Sequence, residues 1–199
     1  MEVYQYSSYE EYLQEQRSAN LLKKDRVWAR EKYIRRIANW LSPRSPLRGI
    51  CHGVRTGIEV DWFTRYLPSC DILGTEVGIA THPKVLKWDF NDENPDWMGR
   101  FDFVYSNSFD HSFNPHRTMR VWLSQLKPSS GVLILEYDRK QEHSKGPTAM
   151  DPVSMSMEEI GGLLWGLTGV LPNVVKLSRD GAKRWRGMLT LDLKKDRES

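Results

Sequence analysis

Residues 47–66 read LRGICHGVRTGIEVDWFTRY and contain the change of pattern that decides the fold. Leu47 to His52 is a short apolar run of the kind that forms a buried strand. Gly53 to Gly57 is a turn bounded by glycines, and Ile58 to Tyr66 follows with apolar residues at helical spacing. A strand, a tight turn and a helix in direct succession form the first half of a βαβ unit, so this stretch predicts a parallel sheet.

The chain after this stretch keeps alternating between strands and helices. Further strands are predicted at 71–76, 84–88, 101–106 and 132–137, and helices at 114–126 and 156–167. Two last strands, at 174–177 and 188–193, flank a turn and predict an antiparallel pair. We therefore expect an α/β fold, a three-layer Rossmann-like sandwich whose mostly parallel sheet has about seven strands and an antiparallel C-terminal edge strand.

Residues 1–46 predict a helical extension, or lid, in front of a single globular unit formed by residues 47–199. The capping-box pattern of Ser8 to Glu11 begins a first predicted helix, which ends near residue 20. A second helix is predicted over residues 24–41, because its apolar residues keep a period of 3.6.

Composition excludes several classes of protein. No apolar run reaches the ~18 residues that a membrane span requires, and the start lacks the pattern of a signal peptide, so a cytoplasmic location is expected. Two cysteines, Cys51 and Cys70, are too few for a disulfide scaffold and are expected to be buried free thiols. The five histidines show no metal-ligand spacing, so no metal site is predicted.

Positive charge is concentrated between Arg17 and Arg48, although the net charge is only +3. Such a stretch can attract RNA or a nucleotide. A solvated helix face is the favoured interpretation, because Asp25 and Glu31 interrupt the stretch. Its aromatic residues are expected to pack in the core, and Trp28 and Trp40 are placed in helices there.

Informative polar residues follow the predicted strands, where open parallel sheets bind their ligands. After the first strand, Gly53 and Gly57 allow the backbone to approach a ligand closely, and the next helix offers free N–H groups. Taken alone, this loop is also an ordinary strand-to-helix turn. The second strand ends at Glu76, nineteen positions after Gly57, a spacing at which an acid binds the hydroxyls of a ribose.

Two further strand ends continue this series. Asp89-Phe90 follows the third strand, and such a pair can accept from an exocyclic amine and pack on a purine face. The polar cluster SNSFDH, residues 106–111, follows the fourth strand, at the expected centre of the site. The sequence therefore predicts one binding site along the carboxyl edge of the sheet.

Together, the glycine loop, the ribose acid, Asp89-Phe90 and the stretch FDFVYSNS at 101–108 resemble motifs of class I S-adenosylmethionine-dependent methyltransferases. The turn KPSSG at 127–131, before an apolar strand, is similar to theirs as well. The resemblance covers residues 47–137 and depends on order and spacing, since no single motif is specific. It implies S-adenosylmethionine as cofactor and transfer of its methyl group. The compact chain favours a small-molecule substrate.

The resemblance implies positions for the methionine end of the cofactor. Gly53, Val54 and Gly57 would lie against its methionine part. Asn107 and Ser108 would lie near the same end, facing the substrate.

The resemblance also implies positions around the adenosine. Glu76 would hold the ribose hydroxyls, and Val77 would lie beside the adenine. Asp89 would accept from the adenine amine, and Phe90 would flank the ring. The connection after Val77 is short and predicts a turn where the family usually has a helix.

Two loop residues depart from the family pattern. Cys51 stands where the family has an acid that helps orient the cofactor's amino group, and Arg55 stands at the middle glycine. Three outcomes are open for Arg55: it pairs with the cofactor's carboxylate, it points away, or it marks a site that no longer binds cofactor.

The leading candidates for catalysis are Asp110 and His111, because histidine titrates near neutral pH and an acid can orient it. The alternative is that His111 only caps its loop. Glu136 and Tyr137, at the end of the fifth strand, are expected on the substrate side. The polar loop at 138–153 is a candidate lid.

Two rival functions share parts of this pattern. A nicotinamide-dependent oxidoreductase would have the same glycine turn and ribose acid, but Arg55 stands where its second glycine admits a pyrophosphate. A non-catalytic binding or scaffold subunit of the same fold is the second rival. An RNA or nucleotide methyltransferase is an alternative that differs from the main hypothesis only in its substrate.

Overall fold

The computed structural model describes residues 1–45, 47–138, 146–180 and 184–192, with side chains at all of these except 176–180 and 184–187. The helices in these ranges are α1 (Tyr9–Leu22), α2 (Glu31–Leu41), α3 (Ile58–Tyr66), α4 (Pro115–Gln125) and α5 (Met157–Thr168). The strands are β1 (Glu2–Val3), β2 (Arg48–His52), β3 (Asp71–Glu76), β4 (Val85–Lys87), β5 (Phe103–Ser106), β6 (Val132–Asp138), β7 (Val153–Ser154), β8 (Asn173–Asp180) and β9 (Arg184–Asp192).

The main sheet has seven strands in the order β4-β3-β2-β5-β6-β9-β8. The five strands from β4 to β6 are parallel, and β9 runs antiparallel to both β6 and β8. At the centre, Ile50 pairs with Leu73 on one side and Val104 on the other. The strand order reverses between β2 and β5, which opens a crevice at their carboxyl ends. The predicted fold is confirmed, including its antiparallel C-terminal edge.

Helices cover both faces of this sheet and give it three layers. On one face, Ile37 of α2 and Phe63 of α3 belong to one buried core. On the other, Trp122 of α4 and Leu164 of α5 belong to a second core. Cys51 lies fully buried in the first core, and both cysteines are buried free thiols as predicted.

Helix α1 lies across the carboxyl edge of the sheet. Its Tyr12 hydroxyl donates to the carbonyl of His111 at 3.2 Å and accepts from Asn91 Nδ2 at 2.7 Å. The segment before α1 is tied to residues 146–154, because β1 pairs with β7 in a separate two-stranded sheet that the sequence did not predict.

Helix α2 begins at Glu31, so the predicted start near Lys24 is wrong. The physical reason lies in the glycine loop. The Arg55 Nη1 atom donates to the carbonyls of Lys23 and Arg26, at 3.3 and 3.0 Å, and these two oxygens are the acceptors that a helix would use. The connection between α1 and α2 is therefore held as an irregular segment.

The expectation that the aromatic residues of the basic stretch pack in the core is wrong for two of them. Trp28 lies in the α1–α2 connection, outside any helix, and is 49% exposed, while Trp40 is 39% exposed beside Arg44. The α2 periodicity holds without them, because Ile34 and Ile37 form the buried face.

Several basic side chains of this stretch pair with acids. Ion pairs join Lys23 to Asp151, Arg44 to Asp192 and Arg48 to Asp71. Part of the predicted loop 138–153 and the predicted strand end at 193 lie outside the described residues. Among the residues that are described, no helix combines the length and apolar character needed to cross a bilayer.

Candidate functional site

A cavity of about 380 Å³ opens at the carboxyl ends of β2, β5 and β6, beneath the α1–α2 connection. Its volume falls in the range of small-molecule sites, roughly 300–1,000 Å³. The structure brings most of the predicted methionine-side, catalytic and substrate-side residues into its wall. These are Gly53, Val54, Arg55, Asn107, Ser108, Asp110, His111, Glu136 and Tyr137.

A second, smaller hollow of about 40 Å³ adjoins this cavity. It is lined by the predicted adenosine-side residues Glu76, Val77, Asp89 and Phe90. The two hollows share Gly53, Arg55, Ser108 and His111. Side chains of α1 lie in the smaller one, among them Tyr12, Gln16 and Asn20, which explains its small volume.

The glycine loop needs its glycines for conformation and for space. Gly53 has φ +69°, and a Cβ atom there would lie 2.7 Å from the Cβ of Ser108. Gly57 has φ +80° and is the N-cap of α3, outside the walls of both hollows. The loop therefore lies directly against the segment that follows β5, and a larger residue at position 53 would require Ser108 to move.

Arg55 is the one described non-glycine residue with positive φ, at 40°, a conformation that costs roughly 1 kcal/mol for an L-residue. Glu76 stabilises it, because the Oε2 atom of this buried acid accepts from the Arg55 backbone N–H at 2.8 Å. The other oxygen, Oε1, accepts from the N–H of Gly78 at 2.9 Å. Each carboxylate oxygen has two lone pairs, so Glu76 can still accept from further hydroxyls.

The Arg55 side chain points into the α1–α2 connection, where Nη1 holds two carbonyls. Its Nε atom is buried and, among the residues that the structure describes, has no hydrogen-bond partner. Burial lowers the pKa of this guanidinium, while Glu76 and Glu59 act in the opposite direction. The cation therefore lies in the cavity wall with one donor unused.

Asp89 is already engaged by its neighbours. Its Oδ2 accepts from the Tyr9 hydroxyl at 2.8 Å, and its Oδ1 accepts from the N–H and the Nδ2 of Asn91, at 2.9 and 2.6 Å. Burial raises the pKa of this carboxyl. Phe90 packs edge-on against Trp122, 5.3 Å between ring centres.

His111 has a defined hydrogen-bonding state. Gln16 donates through Nε2 to the carbonyl of Ala149 at 3.2 Å, so its Oε1 faces His111 Nδ1, 2.9 Å away, as an acceptor. With Gln16 in this orientation, the hydrogen-bond network favours the tautomer with the proton on Nδ1, which leaves a lone pair on Nε2 of the neutral ring. His111 lines the larger cavity, as does Asp151, the acid that lies beside this nitrogen.

The acid near that nitrogen is Asp151, which sequence reasoning missed. Its Oδ1 lies 3.6 Å from His111 Nε2 and 3.4 Å from Lys23 Nζ. Asp110, predicted to orient His111, lies in the same wall, with a carboxylate oxygen within 4.8 Å of the other two groups. The orienting contact on Nδ1 comes instead from Gln16, 95 positions away in the chain.

Glu59 is a second residue that sequence reasoning missed. It belongs to the first turn of α3, is only 5% exposed and lines the larger cavity. Its pKa is raised to about 8, mainly by burial and also by the nearby charge of Glu136, whereas Arg55 and Asn107 act in the opposite direction. Its position four residues before Phe63, on the buried face of α3, was the available signal.

The sequence matches no family model and no curated protein. Solved structures do match it. A 1,6-didemethyltoxoflavin-N1-methyltransferase from Burkholderia thailandensis, with bound 1,6-didemethyltoxoflavin and S-adenosylhomocysteine, has a TM-score of 0.72 at 15% identity over 94% of this chain and 91% of that chain. A SAM-dependent methyltransferase from Aquifex aeolicus has a TM-score of 0.61 at 15% identity, over 86% of this chain and 97% of that chain.

The cyclase SpnF also matches, with a TM-score of 0.58 at 14% identity over 79% of this chain and 80% of that chain. Identities this low establish the fold alone, and a cyclase among the matches shows that the same architecture carries more than one chemistry. On this basis the chain has the Rossmann-like fold of the SAM-dependent methyltransferases.

Proposed function

We propose that this protein is an S-adenosylmethionine-dependent methyltransferase that acts on a small molecule. One observation carries the proposal: two adjoining hollows at the point where the strand order reverses are lined by the glycine loop, Glu76, Asp89 and the histidine-bearing loop after β5. That is the position at which doubly wound sheets bind nucleotide-like ligands. The neighbour from Burkholderia thailandensis, which binds S-adenosylhomocysteine, has the same fold.

The residues of the larger cavity fit the methionine part of the cofactor. Its wall contains a buried carboxyl, Glu59, and a half-buried guanidinium, Arg55, each with one buried polar atom that has no partner among the described residues. An amino-acid group carries one charge of each sign and suits such a pair. When bound, the cofactor supplies a methyl group on a sulfonium, and the protein's task is to position the acceptor.

The smaller hollow has the chemical groups needed to bind the adenosine end of the cofactor, but in this structure it is too small to hold it. Glu76 retains lone pairs for ribose hydroxyls, and Asp89 and Phe90 stand where an adenine would be held. Tyr12 and the neighbouring α1 residues occupy most of that volume, and Tyr9 holds Asp89. The proposal therefore includes a shift of α1 when the cofactor binds.

His111 is proposed as the general base. Its Nε2 lone pair faces the cavity and can take the proton that an alcohol, phenol or amide acceptor loses. Asp151, 3.6 Å from Nε2, would stabilise the imidazolium that results. Glu136 and Tyr137 complete the proposed acceptor side of the cavity.

A small-molecule acceptor is favoured over RNA. The α1–α2 connection covers part of the cavity, and Lys23, one of the basic residues of this connection, is paired with Asp151. A cytoplasmic location is part of the proposal and accords with two buried cysteines that remain unpaired.

Thermal-shift measurements with S-adenosylhomocysteine, NAD and buffer alone test the proposal. Stabilisation by S-adenosylhomocysteine alone supports it. Stabilisation by NAD alone favours an oxidoreductase, and no response to either ligand favours a non-catalytic subunit.

A further inference from the structure

The Glu59 carboxyl is a deeply buried acid in the wall of the larger cavity. The residue is 95% buried, and its Oε2 atom has no hydrogen-bond partner within the described ranges. A side-chain hydrogen bond from Asn107 reaches the same carboxyl. Buried polar atoms in proteins are almost always satisfied, so an unsatisfied oxygen at the edge of a cavity points to a donor that arrives with a ligand.

The position of Glu59 indicates which part of a ligand that donor belongs to. Glu59 is two residues beyond Gly57, and the Asn107 that bonds it follows β5, so the carboxyl stands between the two segments proposed to flank the methionine part. The Nε atom of Arg55, which also has no partner among the described residues, belongs to the glycine loop that precedes α3. One acidic and one basic atom without partners match the ammonium and the carboxylate of an α-amino acid.

This chain lacks an acid at the end of β2, where the resemblance implies one, and Glu59 can take over its role. Cys51, at the end of β2, stands where the resemblance implies an acid that orients the cofactor's amino group, and its thiol is fully buried. Burial raises the pKa of that thiol well above its usual range, so Cys51 stays neutral and supplies no negative charge.

We propose that Glu59 is the residue that receives the α-ammonium group of S-adenosylmethionine, in place of the acid missing at Cys51. This inference rests on the proposed function. When the cofactor binds, the protonated carboxyl loses its proton to solvent, and the resulting carboxylate pairs with the ammonium. The stoichiometry is one proton released for each cofactor bound.

The surroundings of Glu59 determine its state before binding. Burial keeps the neutral acid as the main form at pH 7, since its pKa is about 8. The groups that face it are Glu136 from β6, Tyr105 from β5, Cys51 from β2 and Arg55 from the loop. Of these, only Arg55 is a cation, and it favours the carboxylate. An arriving ammonium adds a second positive charge and shifts the equilibrium to the ionised form.

Isothermal titration calorimetry of the full chain tests this, with S-adenosylhomocysteine as the ligand and two buffers of different ionisation enthalpy. The wild-type protein should release about one proton per ligand at pH 7, and its affinity should rise by up to about tenfold per pH unit from pH 6 towards pH 8. Glu59→Gln should abolish the release and weaken binding by about 10- to 100-fold, since it removes the charged partner of the ammonium.

The matched control ligand is 5′-methylthioadenosine, which lacks the amino-acid part. It should bind wild type and Glu59→Gln with equal affinity and release no proton from Glu59. The comparison of the two ligands also separates any proton released by His111 from the proton released by Glu59. Equal affinity of the two proteins for S-adenosylhomocysteine, or no proton release by wild type, overturns the inference while the proposed function stands. If wild type binds neither ligand, the proposed function fails and the inference fails with it.

Discussion

The Nδ1 atom of His111 lies 2.9 Å from the Oε1 atom of Gln16, a residue of the helix that covers the site. Because Gln16 in turn donates to the carbonyl of Ala149, this contact favours the tautomer of His111 with the proton on Nδ1. The segment that covers the cavity thus also sets the chemical state of the proposed base. Because Gln16 also lines the smaller hollow, the shift of α1 proposed for cofactor binding would act on this tautomer as well.

The first prediction concerns this tautomer. In wild type, nitrogen-15 NMR at pH 8 should show His111 with the proton on Nδ1, and Gln16→Leu should move it towards Nε2, because the acceptor that holds Nδ1–H is lost. His116, exposed on α4, is the internal reference and should not change. An unaltered His111 spectrum in the variant would show that Gln16 does not set the tautomer.

Tyr9 and the cofactor are expected to compete for Asp89. The Tyr9 hydroxyl donates to Oδ2 of this acid, whose carboxylate is proposed to accept from the adenine amine. Tyr9→Phe should therefore raise the affinity for S-adenosylhomocysteine several-fold, since one hydrogen bond contributes about 1 kcal/mol and that corresponds to about fivefold in affinity. A weaker affinity, measured by calorimetry, would mean that Tyr9 contributes to binding.

Steric crowding at the glycine loop can be separated from backbone strain. Gly53 and Gly169 have similar positive φ values, +69° and +75°, but only at Gly53 would a Cβ atom meet another atom within 3 Å, Ser108 Cβ. Gly169→Ala should cost roughly 1 kcal/mol in the free energy of unfolding, from strain alone. Gly53→Ala should cost at least about 1 kcal/mol more and weaken binding of S-adenosylhomocysteine. If urea denaturation showed the same loss in the free energy of unfolding for both variants, the loop would accommodate the added methyl group at no extra energetic cost.

His52 predicts a pH dependence of stability. It is fully buried between Thr75 and Gln125, at 2.8 Å from each, and burial lowers its pKa to about 4. The unfolded chain takes up this proton near pH 6.5, so between pH 6.5 and 4 the unfolded state binds more protons and the free energy of unfolding falls, by about 3 kcal/mol in total.

The test of this prediction is urea denaturation of wild type and His52→Gln at pH 7, 5.5 and 4.5. The loss on acidification should be smaller in the variant, because it has no titrating group at this position. Parallel curves for the two proteins would exclude His52 as the source.

Ionisation of Glu59, which the proposed cofactor contact requires, should lower the stability of the ligand-free protein. Its folded pKa of about 8 lies above the unfolded value, so the stability that the neutral carboxyl contributes is lost as pH rises from about 4.5 to 8. In the ligand-free protein, Glu59→Gln should therefore increase the free energy of unfolding at pH 8, by about 4 kcal/mol, with no gain at pH 4. Denaturation midpoints that fall at both pH values would contradict this account of its burial.

Much of the fold follows from local sequence, and particular elements show why. The predicted bounds of α3 and β3 agree with the structure, because glycine, proline and the change of hydrophobic period mark their ends. The start of α2 does not follow from local sequence. It depends on Arg55, which binds two carbonyls of the α1–α2 connection from a position about thirty residues further on.

Site residues that follow the strands could be predicted from the sequence. Site residues that arrive through long-range packing could not. Glu76 and Asp89 follow directly from topology, since parallel strands end at one edge. Gln16 and Asp151 meet His111 only through the packing of α1 and of the segment before β7, which carries no local signal. Glu59 escaped notice because a charged residue in a helical first turn usually faces solvent.

Binding of S-adenosylhomocysteine to the full chain, followed by titration calorimetry beside NAD and a Glu76→Ala variant, tests the central claim most directly. We predict saturable binding with a dissociation constant below about 100 μM, at least about tenfold weaker in the variant, which loses both the ribose acceptor and the support of the Arg55 backbone. NAD should not bind. Absence of binding by the wild-type protein, or tight binding of NAD alone, would contradict the assignment of this site to a methyl donor.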